Sequence, residues 1–372
     1  MRSHSNTPSL GQIAEAAQVS RAAVSMALRN HPRIPPATRQ RIQKIATELG
    51  WRPNPLLAEA MSAIRAGQPP ADRVTLAWVT THPTRLGWRE SPFFRRCHAG
   101  AEARANAAGY RLEHFWLGDA GGRGHRLGDI LFARGITGVL IAPMPEPGTI
   151  DLPWHQITAA TVAYTLVEPR LHRATDNHCS SARVAVAHLR AGGRRRIGLA
   201  LSANYDRRVQ GLWSAGYLWQ AHEEGFADPA LLHRPAELDE ATFGRWLTSA
   251  QPDAIISTDD RVIKWLKNAG RRVPDDVAFA SLDVTADDGS MAGIFQDATG
   301  IGACAIDVLA GQLLRHERGL PEKPRTVIVD ARWVDGATAP KAPRREILLG
   351  EAGHQTSGNS SKLVAASPVS FD

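Results

Sequence analysis

Leu10 to Asn30, LGQIAEAAQVSRAAVSMALRN, is the stretch on which the reading of this chain turns. Ser9 and Gln12 stand at capping-box spacing, which closes the free amides of a first helix. Ile13, Ala14 and Ala17 then share one helical face. Gln18 falls in the turn that follows. Ser20 is an N-cap for a second helix whose apolar face is Val24, Ala27 and Leu28. Its other face, Arg21, Ala22, Ser25, Met26 and Arg29, is small and basic. A short helix with such a face, braced by another across a turn, fits the DNA major groove.

A third helix follows in PPATRQRIQKIATELGWRPNP, with Ile42, Ile45, Ala46 and Leu49 on one stripe and an end at Gly50 and the prolines beyond. Charge agrees with a nucleic-acid surface. The chain carries +7 overall, and residues 1–66 hold nine Lys/Arg against three acids. A basic headpiece releases counterions on phosphate; the nearly neutral remainder suits a small-molecule domain.

With IAEAAQVSRAAVSMAL, TRQRIQKIATELGW and Arg52-Pro53-Asn54 in order, the sequence resembles the lactose-repressor (LacI/GalR) family of bacterial transcription regulators. The resemblance extends to about residue 338. It implies an all-α helix-turn-helix headpiece plus an α/β periplasmic-binding-protein-like effector domain of two parallel-sheet lobes. The expected division is a disordered stretch over 1–8, a DNA-binding domain over 9–52, and a hinge helix and linker over 53–72. A two-lobed effector and dimerisation domain follows over 73–338, then a Ser-, Ala-, Gly- and Pro-rich disordered tail over 339–372.

Past the linker, strand-like and helix-like segments alternate in two series, which implies parallel sheets with right-handed crossovers. VTLAWVTT, YRLEHFWL and TGVLIAPM read as strands of the first series; RIGLAL, AIISTD and VAFASLD as strands of the second. GDAGGRGHRLGD has neither the strand–GxGxxG–helix order nor a GKS/T, and reads as a flexible loop.

Carried over by position, the resemblance places base reading on Arg21, Ala22 and Met26, with Ser20 and Ser25 as phosphate or cap contacts. Arg21 can pair bidentately with guanine, and Ala22 can touch only a thymine methyl. Met26 stands where many members carry arginine. Arg29 and Asn54 are further DNA contacts or solvated surface. The family's hinge helix presses a leucine into the minor groove. Here that position falls on Ala60, which is too small, leaving Leu57 and Met61 as the candidates.

For the effector, the resemblance points to Phe93 and Phe94 in the loop after the first strand, Asp176 before Asn177, and Arg208 in an Arg-x-x-Gly. Asp259 replaces an asparagine, and Asp283 ends the VAFASLD strand. A guanidinium fork with carboxylates at strand ends can hold sugar hydroxyls, or can form structural salt bridges and helix caps. His172 and His178 lack metal-ligand spacing and read as surface residues. Cys97, Cys179 and Cys304 are too far apart for a metal motif, and their odd, sparse count suits a reducing compartment.

The expectation is a cytoplasmic homodimer with no cofactor, no metal, no catalytic residue and no membrane segment. It binds a pseudo-palindromic double-stranded DNA operator, most simply as a repressor, under a small carbohydrate-like effector. A solute-binding protein without DNA function explains the lobes but not the headpiece. A nucleotide-dependent enzyme on the same alternation lacks the phosphate fingerprint.

Overall fold

The computed structural model describes residues 9–28, 34–49 and 73–340. Arg29, Asn54, Leu57, Ala60 and Met61 lie outside the described residues, as do the hinge segment and the two tails.

The headpiece is three helices, α1 (Leu10–Ala16), α2 (Arg21–Leu28) and α3 (Pro36–Glu48). The Ser9 amide donates to Gln12 Oε1 at 2.8 Å and the Gln12 amide to Ser9 Oγ at 3.3 Å, a complete capping box. The turn runs through Gln18 at φ 53°, and the Ala23 amide then donates to Ser20 Oγ at 3.1 Å. Ile13, Ala17, Val24, Ala27, Ile42 and Ala46 close a small core. Two details differ from the periodicity. Leu49 is exposed, and Met26 is half-buried against the core rather than free on the polar face. A helix this short has few positions that see only solvent, and a long flexible side chain folds back onto apolar neighbours.

The α/β part holds two six-stranded sheets. The first lobe has the order β13-β7-β5-β3-β1-β2, with β1 (Val74–Thr80), β2 (Tyr110–Trp116), β3 (Gly138–Ile141), β5 (Thr158–Val162), β7 (His172–Asp176) and β13 (Thr326–Val329). The second has the order β14-β12-β11-β10-β8-β9, with β8 (Ile197–Ala200), β9 (Leu232–His233), β10 (Ala254–Ser257), β11 (Ala278–Ser281), β12 (Gly293–Phe295) and β14 (Arg332–Val334). Most pairs are parallel; β14 runs antiparallel to β12. A two-stranded ribbon pairs β4 (Gly148–Thr149) with β6 (Leu166–Glu168).

The helices of the first lobe include α4 (Pro92–Ala107), α5 (Gly124–Ala133) and α11 (Ala298–Leu314); those of the second include α6 (His178–Ala191), α7 (Ala203–Arg207), α8 (Leu212–Glu223), α9 (Glu240–Ala250) and α10 (Arg261–Asn268). The chain passes between lobes after β7, after β12, and between β13 and β14. Asn177 ties the first passage to the third: its amide donates to Val329 O at 3.0 Å and its Nδ2 to Asp330 Oδ1 at 2.8 Å.

The glycine-rich stretch taken for a flexible loop is structured. Leu117–Ala120 is a 3-10 turn, and α5 begins at Gly124. A Cβ on Gly124 would lie 1.6 Å from Asp151 O, so the glycine is there to let two backbones meet. The same holds where α4 crosses α11: a Cβ on Gly302 would sit 2.0 Å from Cys97 O.

Candidate functional site

On the headpiece, Ser20, Arg21 and Ala22 stand together at the exposed start of α2, and Ser25 one turn on is half-buried. Ser20 is occupied as the cap. Arg21 has no acidic partner among the described residues, and its guanidinium lies against α1, where a Cβ on Gly11 would be 3.0 Å from Nη2. The unneutralised cation sits at the helix N-terminus, the end that already favours anions.

In the α/β part, the loops at the carboxyl ends of the strands converge from both lobes, as ligand sites of open parallel sheets do. They form two adjoining compartments that share Tyr205 and Arg208. The inner one is lined by Phe93, Phe94, His178, Trp213, Asp283 and Gln296 among others. The outer one, about 460 Å³, is polar, with Glu146, Asn204, Glu237, Asp259 and Arg261 on its walls.

The inner walls are built by local packing. The Phe94 amide donates to Ser91 Oγ at 3.3 Å, which starts α4 and fixes the Phe pair, whose ring centroids are 6.0 Å apart. Tyr205 stacks on Trp213 with centroids 5.8 Å apart and planes 6° from parallel. Arg208, just past α7, lies over the Tyr205 ring at 5.5 Å and donates from Nη2 to Met144 O at 3.2 Å. No carboxylate pairs with it among the described residues, and it lines both compartments.

Asp283 is the acidic counterpart. Its amide donates to Ser281 Oγ at 3.2 Å, and its Oδ1 lies 3.8 Å from Arg96 Nη2 without a hydrogen-bond partner. Burial pushes its carboxyl up to about 6, with Arg96 offsetting part of that. His82, edge-on to Phe94 at 5.6 Å, is held below the usual histidine range by burial and then by Arg208.

Phe93, Phe94, Arg208 and Asp283 therefore come together in one compartment. Asp259 lies in the outer compartment, where Arg261 grips it (Nη2–Oδ2 2.6 Å) and it caps the Arg261 amide at 3.0 Å. Asp176 does not line either compartment. It is fully buried, accepts from Ser181 Oγ at 3.0 Å, and stands 3.2 Å from His178 Nδ1.

The two histidines assigned to the surface are both buried. His172 opens β7, a strand buried along its whole length, and its Nδ1 accepts from the Arg325 amide at 2.8 Å. His178 opens α6 at the passage between lobes. Spacing rules test histidine for metal ligation and are silent on a single ring packed in a crossover. Tyr205, Trp213 and Gln296 also escaped the sequence reading, because an aromatic on a helix or an amide in a loop carries no motif.

Residues 9–54 match the bacterial regulatory proteins of the lacI family, and residues 186–339 match the periplasmic binding protein-like domain. Together the two matches span more than half of the chain. No curated protein sequence matches it. Among solved structures, the CelR transcriptional regulator in complex with cellobiose is 20% identical, with 89% of this chain and 99% of that chain covered at a TM-score of 0.56. The lac repressor dimer bound to operator and the anti-inducer ONPF is 17% identical, covering 90% and 100% at 0.52. CcpA of Lactococcus lactis is 13% identical, covering 72% and 100% at 0.56. At these identities the likeness shows the fold, which is the one built above. No helix among the described residues is long and apolar enough to cross a membrane. The chain belongs to the lacI family of bacterial regulatory proteins, with a DNA-binding helix-turn-helix headpiece joined to a periplasmic-binding-protein-like effector domain.

Proposed function

We propose that this protein is a transcriptional repressor that acts as a homodimer on a pseudo-palindromic operator in the cytoplasm and is released or engaged by a sugar-class metabolite. The observation that carries the effector half is the convergence of Arg208, Asp283 and the Phe93–Phe94 pair on one cleft. Aromatic rings suit the C–H face of a sugar ring, and a guanidinium with a carboxyl at its rim suits hydroxyls. Similar structures support a ligand of this class: CelR is in complex with cellobiose, and a CcpA from Weissella paramesenteroides has bound glucose. The lac repressor dimer on its operator supplies the partner and the two-fold arrangement. In that arrangement half-sites lie about one helical turn apart.

Phe93, Phe94, Arg208 and Asp283 contact the effector in this reading. Asp259 shapes the outer wall, and Asp176 acts from behind His178. Ser20, Arg21, Ala22, Ser25 and Met26 form the reading face, with Arg29, Asn54, and Leu57 or Met61 as the assigned contacts outside the described residues. The effector acts by binding the two lobe arrangements unequally. Solute transport leaves the headpiece without a role.

The test is a gel-shift on genomic fragments over a range of salt, followed by a sugar panel on the fragment retained. A specific fragment is expected, with affinity falling steeply as salt rises. Binding to no fragment, or a flat salt response, would overturn the reading.

A further inference from the structure

One side chain reaches across the cleft without lining it. Arg96 stands on α4 of the first lobe, within a turn of Phe93 and Phe94. Its guanidinium lies among groups of the second lobe. Nη1 donates to Thr285 O at 2.9 Å. The group sits over the Phe295 ring at 5.4 Å, and Asp283 Oδ1 stands 3.8 Å from Nη2, an ion pair without a hydrogen bond. Asp283 and Thr285 belong to the loop after β11, and Phe295 ends β12. One first-lobe cation thus holds two segments of the second lobe.

The chemistry suits a strut. A guanidinium is always charged, and its planar fork can bond a carbonyl through one nitrogen while its face packs on a ring. A hydrogen bond from a charged donor outweighs a neutral one, and partial burial limits screening of the ion pair. The side chain is only 23% exposed, and it stands in the wall of neither compartment. Arg208 crosses the same cleft in the opposite direction, to Met144 O, but it lines both compartments. A ligand can therefore engage Arg208 directly and leaves Arg96 alone.

What Arg96 fixes is a width. The Phe93–Phe94 pair and Asp283 line the inner compartment from different lobes. The same helix carries the Phe pair and Arg96, and Asp283 is two residues before the carbonyl that Arg96 bonds. A lobe movement that parts these walls must break the Nη1–O bond. It must also draw the cation away from Asp283 and from the Phe295 ring.

We propose that Arg96 is a positioning residue that holds the two lobes at the spacing in which the Phe93–Phe94 and Asp283 walls face one another. It thereby sets the fraction of ligand-free protein that is ready to bind. Apparent effector affinity scales with that fraction, whatever the ligand. The proposal rests on the cleft being the effector site, but not on the effector's being a sugar or on the headpiece's binding DNA.

Hydrogen exchange read by mass spectrometry on the ligand-free, full-length protein tests it, because a cleft amide exchanges in proportion to the population of opened lobes. Arg96→Met keeps a long apolar side chain for Phe295 and removes the charge and the donors. Amides of residues 283–287 and 91–95 are expected to exchange about tenfold faster than in wild type, the worth of roughly one charged hydrogen bond at a partly exposed site. Those of β3 and β10, inside the two sheets, should keep their wild-type rates. Arg96→Lys retains the cation and should recover part of the protection. Unchanged exchange at the cleft in Arg96→Met overturns the proposal. So does faster exchange that spreads through β3 and β10, which would make Arg96 a fold determinant. If the methionine variant does not fold, Arg96→Lys decides: a smaller increase confined to the cleft segments is expected, and an unchanged or global pattern overturns the assignment. Operator binding reports on the regulator reading alone, so the two can fail separately.

Discussion

Arg208 Nη2 donates to the backbone carbonyl of Met144 at 3.2 Å, joining a side chain of the second lobe to the main chain of the first. The bond lies at the wall shared by the two compartments, so any ligand that engages Arg208 competes with, or reinforces, a lobe-to-lobe contact. That is a physical route from effector to lobe arrangement.

Arg208→Ala is expected to abolish the effector's influence on DNA binding. Losing a charged hydrogen bond to the ligand costs about 1.5–3 kcal/mol, a tenfold or greater loss in effector affinity. Operator affinity and melting temperature, each with and without effector, check this. A full effector response in the folded variant would sink the assignment.

Asp283 carries a pH signature. Its folded-state value of about 6 lies above the ordinary carboxyl range near 3.9, so the fold prefers the neutral acid. The stability this contributes is complete below about pH 4 and is lost as pH rises through about 6, by roughly 2–3 kcal/mol. Asp283→Asn removes the titration, while Arg96 keeps its bond to Thr285 O at 2.9 Å. The variant should therefore melt higher than wild type at pH 7.5, with the advantage shrinking toward pH 4. An advantage that grows on acidification would contradict the burial account.

Arg21→Ala should cost about 1–3 kcal/mol at one base pair of each half-site and relax the preference there. Binding to a set of single-substitution operators measures it. Equal weakening across every sequence would make Arg21 a phosphate contact instead.

Asp206 is a fold determinant beneath the cleft. Fully buried, it accepts from Ser214 Oγ at 2.7 Å and from Arg234 Nε at 2.8 Å. Asp206→Ala strands both donors and should destabilise the protein by about 3 kcal/mol or more, with Asp206→Asn losing less. Urea unfolding midpoints give the comparison; an alanine variant as stable as wild type would show the network to be dispensable.

What the sequence by itself determined is what neighbours along the chain decide. Ser9 with Gln12 and Ser20 with Ala23 sit three residues apart, so their caps are legible as spacing. The strand–helix alternation is equally local and set the two lobes. Tertiary structure alone decided which residues meet. Phe94 and Asp283 are nearly two hundred positions apart, and only the folding of two sheets brings them to one compartment. It also gave residues partners that spacing does not record: Asp259 is held by Arg261, Asp176 lies beside His178, and Met26 is half-buried against the headpiece core. A motif records side-chain type and interval. Burial and the identity of a partner depend on chain segments far away in sequence, and these made His178 a cleft residue rather than a surface one.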